Sequence, residues 1–276
     1  MTTINCKGTL IDFSTPKVMG ILNSTPDSFF DGGKYSTEKE LLHQVEKMLA
    51  DGATFIDVGT YSSRPGAAII SEEEELQRII PVIKLLVKKF PEIIISVDTF
   101  RSAIAQKTIE AGAAMINDIS GGTMDSTMFK TVAKLQVPYV LMHMLGTPQS
   151  MQENPKYENI TTELISFFSK QLFKLRQLHV NDIIIDVGFG FGKTTAHNFE
   201  LLKNLTLFQR LDVPVLAGVS RKSMLYKPLS ISPKEALNAT TSANTIALLN
   251  GATLLRVHDV KEAMEAIKIV GQLNVK

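Results

Sequence analysis

The chain predicts a (β/α)8 barrel, and three observations lead there. Eight short apolar runs rich in Val and Ile recur along it. Each gives way within a few residues to a polar side chain able to bind or catalyse, and each is followed by a stretch of helical periodicity. Runs of this kind read as parallel strands buried on both faces. In a (β/α)8 barrel the C-terminal strand ends gather on one face, where that fold carries its active site. One polar strand end would be noise; eight in register make a site.

Residues 4–13 alternate around Lys7-Gly8, predicting a short N-terminal hairpin that closes the barrel bottom. Val18-Met19-Gly20-Ile21-Leu22 is the first strand and ends at Asn23. A helix near 37–51 follows, with Leu41, Leu42, Val45, Met48 and Leu49 at helical spacing and Gly52 as its stop. Thr54-Phe55-Ile56 ends at Asp57. The helix 72–90 opens with Glu72-Glu73-Glu74-Glu75 and closes with Lys88-Lys89, charges that suit the two ends of a helix dipole. That acidic run reads as a capped, solvated helix start and not as a metal site. Ile93-Ile94-Ile95-Ser96-Val97 ends at Asp98, before a helix at 101–112. Ala114-Met115-Ile116 ends at Asn117-Asp118, before a helix at 126–136. Pro138-Tyr139-Val140-Leu141-Met142 ends at His143, before a helix at 159–179, and Ile183-Ile184-Ile185 ends at Asp186, before a helix at 197–211. Val213 to Val219 runs into Ser220-Arg221-Lys222, and Leu254-Leu255 into Arg256 and His258. Helices at 233–250 and 259–273 follow, with Ser232-Pro233 and Asp259 expected at their N-caps.

The 276 residues suit one barrel, a fold of about 250 residues, so a single domain over 1–276 is expected. A hydrophobic fraction of 44% is enough to fill a barrel and clothe it with helices. The net charge of +1 gives no reason to expect nucleic acid or an anionic membrane as partner. Cys6 is the sole cysteine, which excludes an intrachain disulfide and favours a reducing compartment. No segment reads as a signal peptide or a membrane span, so a cytoplasmic enzyme of small-molecule metabolism is expected.

Two loops above the strands are long and rich in Gly, Pro and Ser: Asn23 to Ser36, and Gly59 to Ser71. Such loops in a compact domain are usually lids or binding loops. The first contains Asn23-Ser24-Thr25-Pro26-Asp27-Ser28-Phe29-Phe30-Asp31-Gly32-Gly33, and the second follows Asp57-Val58-Gly59 with Thr60-Tyr61-Ser62-Ser63-Arg64-Pro65-Gly66. Both resemble signatures of the dihydropteroate synthase family. The resemblance continues in order through Ser96-Val97-Asp98-Thr99, Asn117-Asp118-Ile119-Ser120-Gly121-Gly122, Met142-His143-Met144, Asp186 to Lys193, Gly218 to Ser223, and Arg256 to Val260. It implies a TIM barrel that condenses 6-hydroxymethyl-7,8-dihydropterin diphosphate with p-aminobenzoate, releasing pyrophosphate. It further implies Mg²⁺ as cofactor, a homodimer through the last helices, and a target of sulfonamides.

The chemistry of the named residues agrees with what the resemblance implies. A dihydropterin offers a cluster of ring donors, for which a deep carboxylate, Asp186, is the natural acceptor. Asp98 and Asn117 would take the remaining ring edge, the amide serving as donor and acceptor. Lys222 can donate to the ring's O4, Met142 can pack on its flat face, and Gly218 joins the pterin set. The plainer reading is that Asp98 and Asp186 merely cap helices. Arg256 can fork onto two diphosphate oxygens while His258 donates another bond. Asn23, on the adjacent first strand, can ligate Mg²⁺ through its amide oxygen. The resemblance gives Asp98, Asp31, Arg64 and Lys222 catalytic parts, with Asp31 and Arg64 in a lid over the pterin. It sets Phe29, Ser63, Pro65, Phe191 and Ser223 around the p-aminobenzoate ring.

No protein nucleophile is required, because the arylamine is nucleophilic as the free amine. Gly188 to Thr194 contains Gly-Lys-Thr, but the spacing of a phosphate-cradling loop is absent. Lys222 as a Schiff-base lysine would need a buried amine of lowered pKa. The chain departs from the family pattern at Ser24, at Thr60-Tyr61, at Ser63 in place of Thr, and at Val187, where Pro is common. Two other readings remain: a folate-dependent methyltransferase, which would share the pterin site without the Arg256-His258 pair, and a noncatalytic paralogue, which would have degraded loops.

Overall fold

A hairpin, β1 (Thr3–Cys6) and β2 (Thr9–Asp12), opens the chain in the computed structural model. The structure describes residues 3–23, 34–59, 70–147, 149–151 and 154–273. The turn at Lys7-Gly8 takes left-handed φ values of 53° and 88°, as the expected tight turn requires. Eight parallel strands then close into a barrel. They are β3 (Lys17–Asn23), β4 (Phe55–Gly59), β5 (Ile95–Asp98), β6 (Met115–Asp118), β7 (Tyr139–Met142), β8 (Ile183–Asp186), β9 (Val215–Ala217) and β10 (Leu254–Val257). β10 closes the ring on β3, with Leu254 opposite Lys17 and Val257 opposite Gly20.

Because side chains alternate along a strand, the barrel sorts its residues by parity. Val18, Ile56, Val97, Ile116, Leu141, Ile185 and Leu255 face outward and pack in the main core with the helices. Met19, Phe55, Met115, Val140, Ile184, Leu216 and Leu254 face inward. They form a separate apolar cluster with Ile4, Cys6, Ile11 and Phe13 of the hairpin segment, so the hairpin stops the barrel bottom as expected. Phe13 stacks on Phe55 with ring centroids 6.4 Å apart. Two residues beyond six of these seven, the same inward parity reaches Asp57, Asn117, Met142, Asp186, Gly218 and Arg256; beyond Met19 it reaches Ile21. The bottom of the barrel is filled with hydrocarbon, and most of its polar inward side chains lie at the top.

The outer layer comprises α1 (Lys34–Ala50), α2 (Glu72–Lys89), α3 (Ser102–Glu110), α4 (Met128–Leu135), α5 (Ile160–Gln177), α6 (Thr195–Lys203), α7 (Ser223–Tyr226), α8 (Leu237–Leu249) and α9 (Val260–Gln272). Four details differ from the expectation. The helix expected at 197–211 stops at Asn204, whose side chain bonds Thr161 across to α5, and the chain continues as a 3-10 segment, Leu205–Leu211. The short α7 carried no periodic signal. Ser232 and Pro233 do open a turn, but it is a 3-10 segment at Pro233–Glu235 with a Ser232–Glu235 capping box, and α8 begins after it. Asp259 makes no capping bond to α9. Both its oxygens accept instead from Arg221, at 2.9 and 2.7 Å, a bidentate charged pair that outcompetes a cap.

The acidic opening of α2 also needs correction. Ser71 caps it, but only the first three glutamates lie toward solvent. Glu75 is fully buried and accepts from the Thr99 hydroxyl at 2.8 Å and from the Arg101 guanidinium, whose other nitrogen donates to the Ile70 carbonyl. Among the described residues no helix is long and apolar enough to cross a membrane.

Candidate active site

The inward-facing residues at the top of the barrel line a small cleft. Asp98, Asn117, Ile119, Met142, Asp186, Phe191, Gly218, Lys222 and Arg256 line it. Eight of these nine were singled out from the sequence; Ile119 was not. Asn23, His258 and Ser223 lie outside this lining. Asn23 is exposed at the end of β3, and Ser223 opens α7, half-buried. His258 pairs its Nδ1 with the Ser220 hydroxyl at 3.0 Å, while its own backbone N–H donates to that oxygen at 3.2 Å. Phe29, Asp31, Ser63, Arg64 and Pro65 lie outside the described residues.

Arg256 is held more firmly than its sequence suggested. Its Nε donates to Asp57 Oδ2 at 2.7 Å and a terminal nitrogen donates to Asp98 Oδ2 at 3.1 Å. The Asn117 amide donates to the same Asp57 oxygen at 3.0 Å. Asp57, wholly buried and absent from the cleft lining, therefore orients two groups that line it. Parity carried the signal: Asp57 stands two residues beyond Phe55 and must share its inward face. Asp118 has the opposite parity. It faces away from the cleft and accepts from Ser120, Gly122 and the Tyr139 hydroxyl.

Burial sets the electrostatics. It pushes the Asp98 carboxyl up to about 7; Arg256 opposes that rise and Asp57 adds to it. Asp186 is raised by burial, against the pull of Lys222, the Gly188 N–H and Arg256. Lys222 is lowered to about 8, again by burial first, with Asp186 opposing. Its ammonium donates to the Phe189 carbonyl and sits 4.7 Å from the centre of the Phe191 ring. The lowered amine that a Schiff base would need is thus present, and it does not by itself exclude one. Among the described residues, Asp57 Oδ1 and Asp98 Oδ1 are buried without a hydrogen-bond partner, and Asp98 lines the cleft. Acceptors on one edge, an amide on the next and a cation facing them match a flat heterocycle that carries both donors and a carbonyl.

The pterin binding enzyme family matches residues 19–258. The dihydropteroate synthase of Escherichia coli strain K12 is 42% identical over 96% of this chain and 94% of its own length. The chain belongs to the dihydropteroate synthase family of pterin-binding enzymes. The corresponding enzyme of Haemophilus influenzae is 40% identical over 94% of both chains. Among solved structures, Yersinia pestis dihydropteroate synthase in complex with a sulfonamide drug superposes with a TM-score of 0.91 at 40% identity, covering 99% of each chain. The Xanthomonas albilineans enzyme in complex with 7,8-dihydropteroate gives 0.87 at 35%, again over 99% of each. Membership agrees with the resemblance read from the motifs.

Proposed function

We propose a division of labour in the cleft for the family's reaction, in which 6-hydroxymethyl-7,8-dihydropterin diphosphate and p-aminobenzoate give 7,8-dihydropteroate and pyrophosphate. Asp186 and Asp98 accept from the pterin's amino and ring N–H groups, Asn117 takes the mixed edge, and Lys222 donates to O4. Met142 and Gly218 flank the ring. The observation that carries this reading is the convergence of two buried carboxylates, an amide and a lysine on one small cleft, with Arg256 at its rim. Asp98 Oδ1, without a partner among the described residues, supports it, because a bound N–H donor would satisfy that atom.

The C–O bond to the diphosphate breaks with its electrons leaving on pyrophosphate, and the amine lone pair of p-aminobenzoate forms the new C–N bond. The nitrogen then gives up a proton, which the released pyrophosphate can take. Arg256 supplies positive charge to the departing anion and His258 a hydrogen bond. A guanidinium has five N–H donors, so holding Asp57 and Asp98 leaves others for phosphate oxygens. The buried carboxylate of Asp98 also offers negative charge to the electron-poor methylene carbon. On the strength of the two loop motifs, Asp31 and Arg64 cover the pterin and exclude water. Phe29, Ser63, Pro65, Phe191 and Ser223 surround p-aminobenzoate.

The residues present fit Mg²⁺ as cofactor only in one manner. Among the described residues no cluster of three or more His, Cys, Asp or Glu could cage an ion. A single amide oxygen at the exposed end of β3, from Asn23, suits an ion that keeps diphosphate oxygens and waters for most of its shell. When bound it supplies positive charge to the leaving group.

The chain is further proposed as one cytoplasmic domain over 1–276 without nucleic-acid or membrane partners. It is also proposed as a homodimer through α8 and α9. Of the small residues on α8, Thr240, Ala243 and Ala247 are buried within the fold, while Ile246 and Leu249 on α8 and Ile269 on α9 stand exposed. These apolar side chains support a covered face. Light scattering at micromolar concentration should give twice the chain mass; a monomer mass refutes the dimer. Pyrophosphate release from the pterin diphosphate, with and without p-aminobenzoate, tests the reaction. Release should depend on p-aminobenzoate and match dihydropteroate formed; release indifferent to it would refute this reading.

A further inference from the structure

Lys193 is a cation in an unexpected place. It follows the Gly188–Gly192 loop above β8, is 3% exposed, and has no ion pair among the described residues. Its ammonium reaches three acceptors: His143 Nδ1 at 3.1 Å, the His143 carbonyl at 3.2 Å and the Phe191 carbonyl at 2.9 Å. An ammonium has three hydrogens and no acceptor, so this set matches it bond for bond. Burial holds His143 down at about 3, so its ring is neutral and Nδ1 is available as the acceptor. Burial likewise lowers Lys193 to about 7, with Asp186 opposing and Lys222 assisting.

A buried ammonium is costly, and an apolar side chain of similar length would fill the same space. What Lys193 adds is direction. The loop presses flush against the segment after β7: a Cβ on Gly188 would lie 2.0 Å from the His143 carbonyl oxygen, and one on Gly192 2.7 Å from Leu145. Other side chains hold it peptide by peptide. Lys222 takes the Phe189 carbonyl, Asn198 accepts from the Gly190 N–H at 2.7 Å, and the Tyr157 hydroxyl donates to the Gly192 carbonyl at 2.8 Å. Lys193 alone among these joins the Phe191 peptide to the end of β7, and the Phe191 side chain lines the cleft.

We propose that Lys193 is a positioning residue that, with neutral His143 as its acceptor, sets the Phe191 wall of the cleft and thereby the affinity for p-aminobenzoate. This rests on the proposed role of Phe191. The test is steady-state kinetics, varying each substrate in turn, on Lys193→Met, His143→Leu, His143→Asn and Phe191→Ala, with melting temperature recorded for each. Asn can offer an oxygen near the position of Nδ1, whereas Leu cannot. Lys193→Met and His143→Leu should raise KM for p-aminobenzoate about tenfold, with kcat and KM for the pterin diphosphate within about threefold of the parent. His143→Asn should recover most of that loss. Parallel changes in both KM values, or no change in either, would overturn the proposal. If Lys193→Met does not fold, the His143 pair decides, and equal KM values for Asn and Leu overturn it. Phe191→Ala separates the two claims. If it raises KM for p-aminobenzoate while Lys193→Met does not, the positioning role fails alone; if it does not, the reading of Phe191 fails.

Discussion

Replacing Asp57 by Asn keeps the shape of the buried carboxyl and removes its charge. The amide oxygen can still accept from Arg256 and Asn117, where Asp57 now receives bonds of 2.7 and 3.0 Å. The electrostatic consequence falls on Asp98, which shares the Arg256 guanidinium. Carboxylates sharing one guanidinium are on the order of 6 Å apart, which at an effective dielectric near 20 gives roughly 3 kcal/mol of repulsion, or about two pKa units. Burial, not Asp57, is the main reason Asp98 stands at about 7, so that component survives the change. Removing the neighbouring charge lowers the Asp98 pKa, and Arg256, bound to one carboxylate fewer, pulls the same way. The acid limb of kcat/KM for the pterin diphosphate, which reports groups in the free enzyme, should therefore move down by about one to two units. Substrate ionisation is common to both enzymes and cancels in the comparison. The weaker hold on Arg256 should raise KM for the diphosphate about tenfold, equivalent to about 1.4 kcal/mol of a charge-assisted bond. An acid limb that stays in place or moves upward refutes the coupling of Asp57 to Asp98.

Three other outcomes follow from the site. Asp186→Asn should abolish pterin binding, because the amide presents a donor to ring groups that also donate, at a cost of roughly 1–3 kcal/mol or more; unchanged calorimetric affinity for a pterin analogue would remove Asp186 from the site. Arg256→Ala should weaken the diphosphate substrate far more than the bare pterin, whereas equal losses would mean that Arg256 acts on pocket shape. Free p-aminobenzoate should bind the empty enzyme very weakly and gain affinity when pyrophosphate and a pterin are present. Arg64→Ala should erase that coupling and spare pterin affinity, while tight binding to the empty enzyme would sink the proposed roles of both loops.

The barrel and most of its cleft were legible because both depend on local pattern. Short apolar runs with polar ends specify strands, and alternation specifies which side chain enters the barrel. Asp98, Asn117, Met142, Asp186, Gly218, Lys222 and Arg256 were found by that logic and the motifs together. Pairings across the barrel were not legible. The Arg256–Asp57 bond joins residues 199 positions apart, and nothing local reveals that Arg256 meets two carboxylates. Asp259 looked like a helix cap because its neighbours in sequence allow one, while its actual partner, Arg221, lies 38 residues away. Glu75 sat in a run whose composition reads as solvated, and only the fold puts Thr99 and Arg101 against it. Asn204, where α6 ends, bonds Thr161 of α5, a contact that no periodicity foretells.

The seam between β10 and β3 makes the site a late product of folding. Leu254 to Val257 must find Lys17 to Gly20 across nearly the whole chain, the costliest loop closure in the barrel. Until that pairing forms, Arg256 has neither Asp57 nor Asp98 opposite it, and the interior around Met19 and Leu254 lies open. A chain that has not yet added β10 can offer at most seven of the eight barrel strands and lacks Arg256. Its exposed β3 edge and unfilled interior are what a chaperone would meet first. Catalytic competence should consequently appear in one step with barrel closure, so activity regained during refolding reports the slowest long-range contact in the molecule.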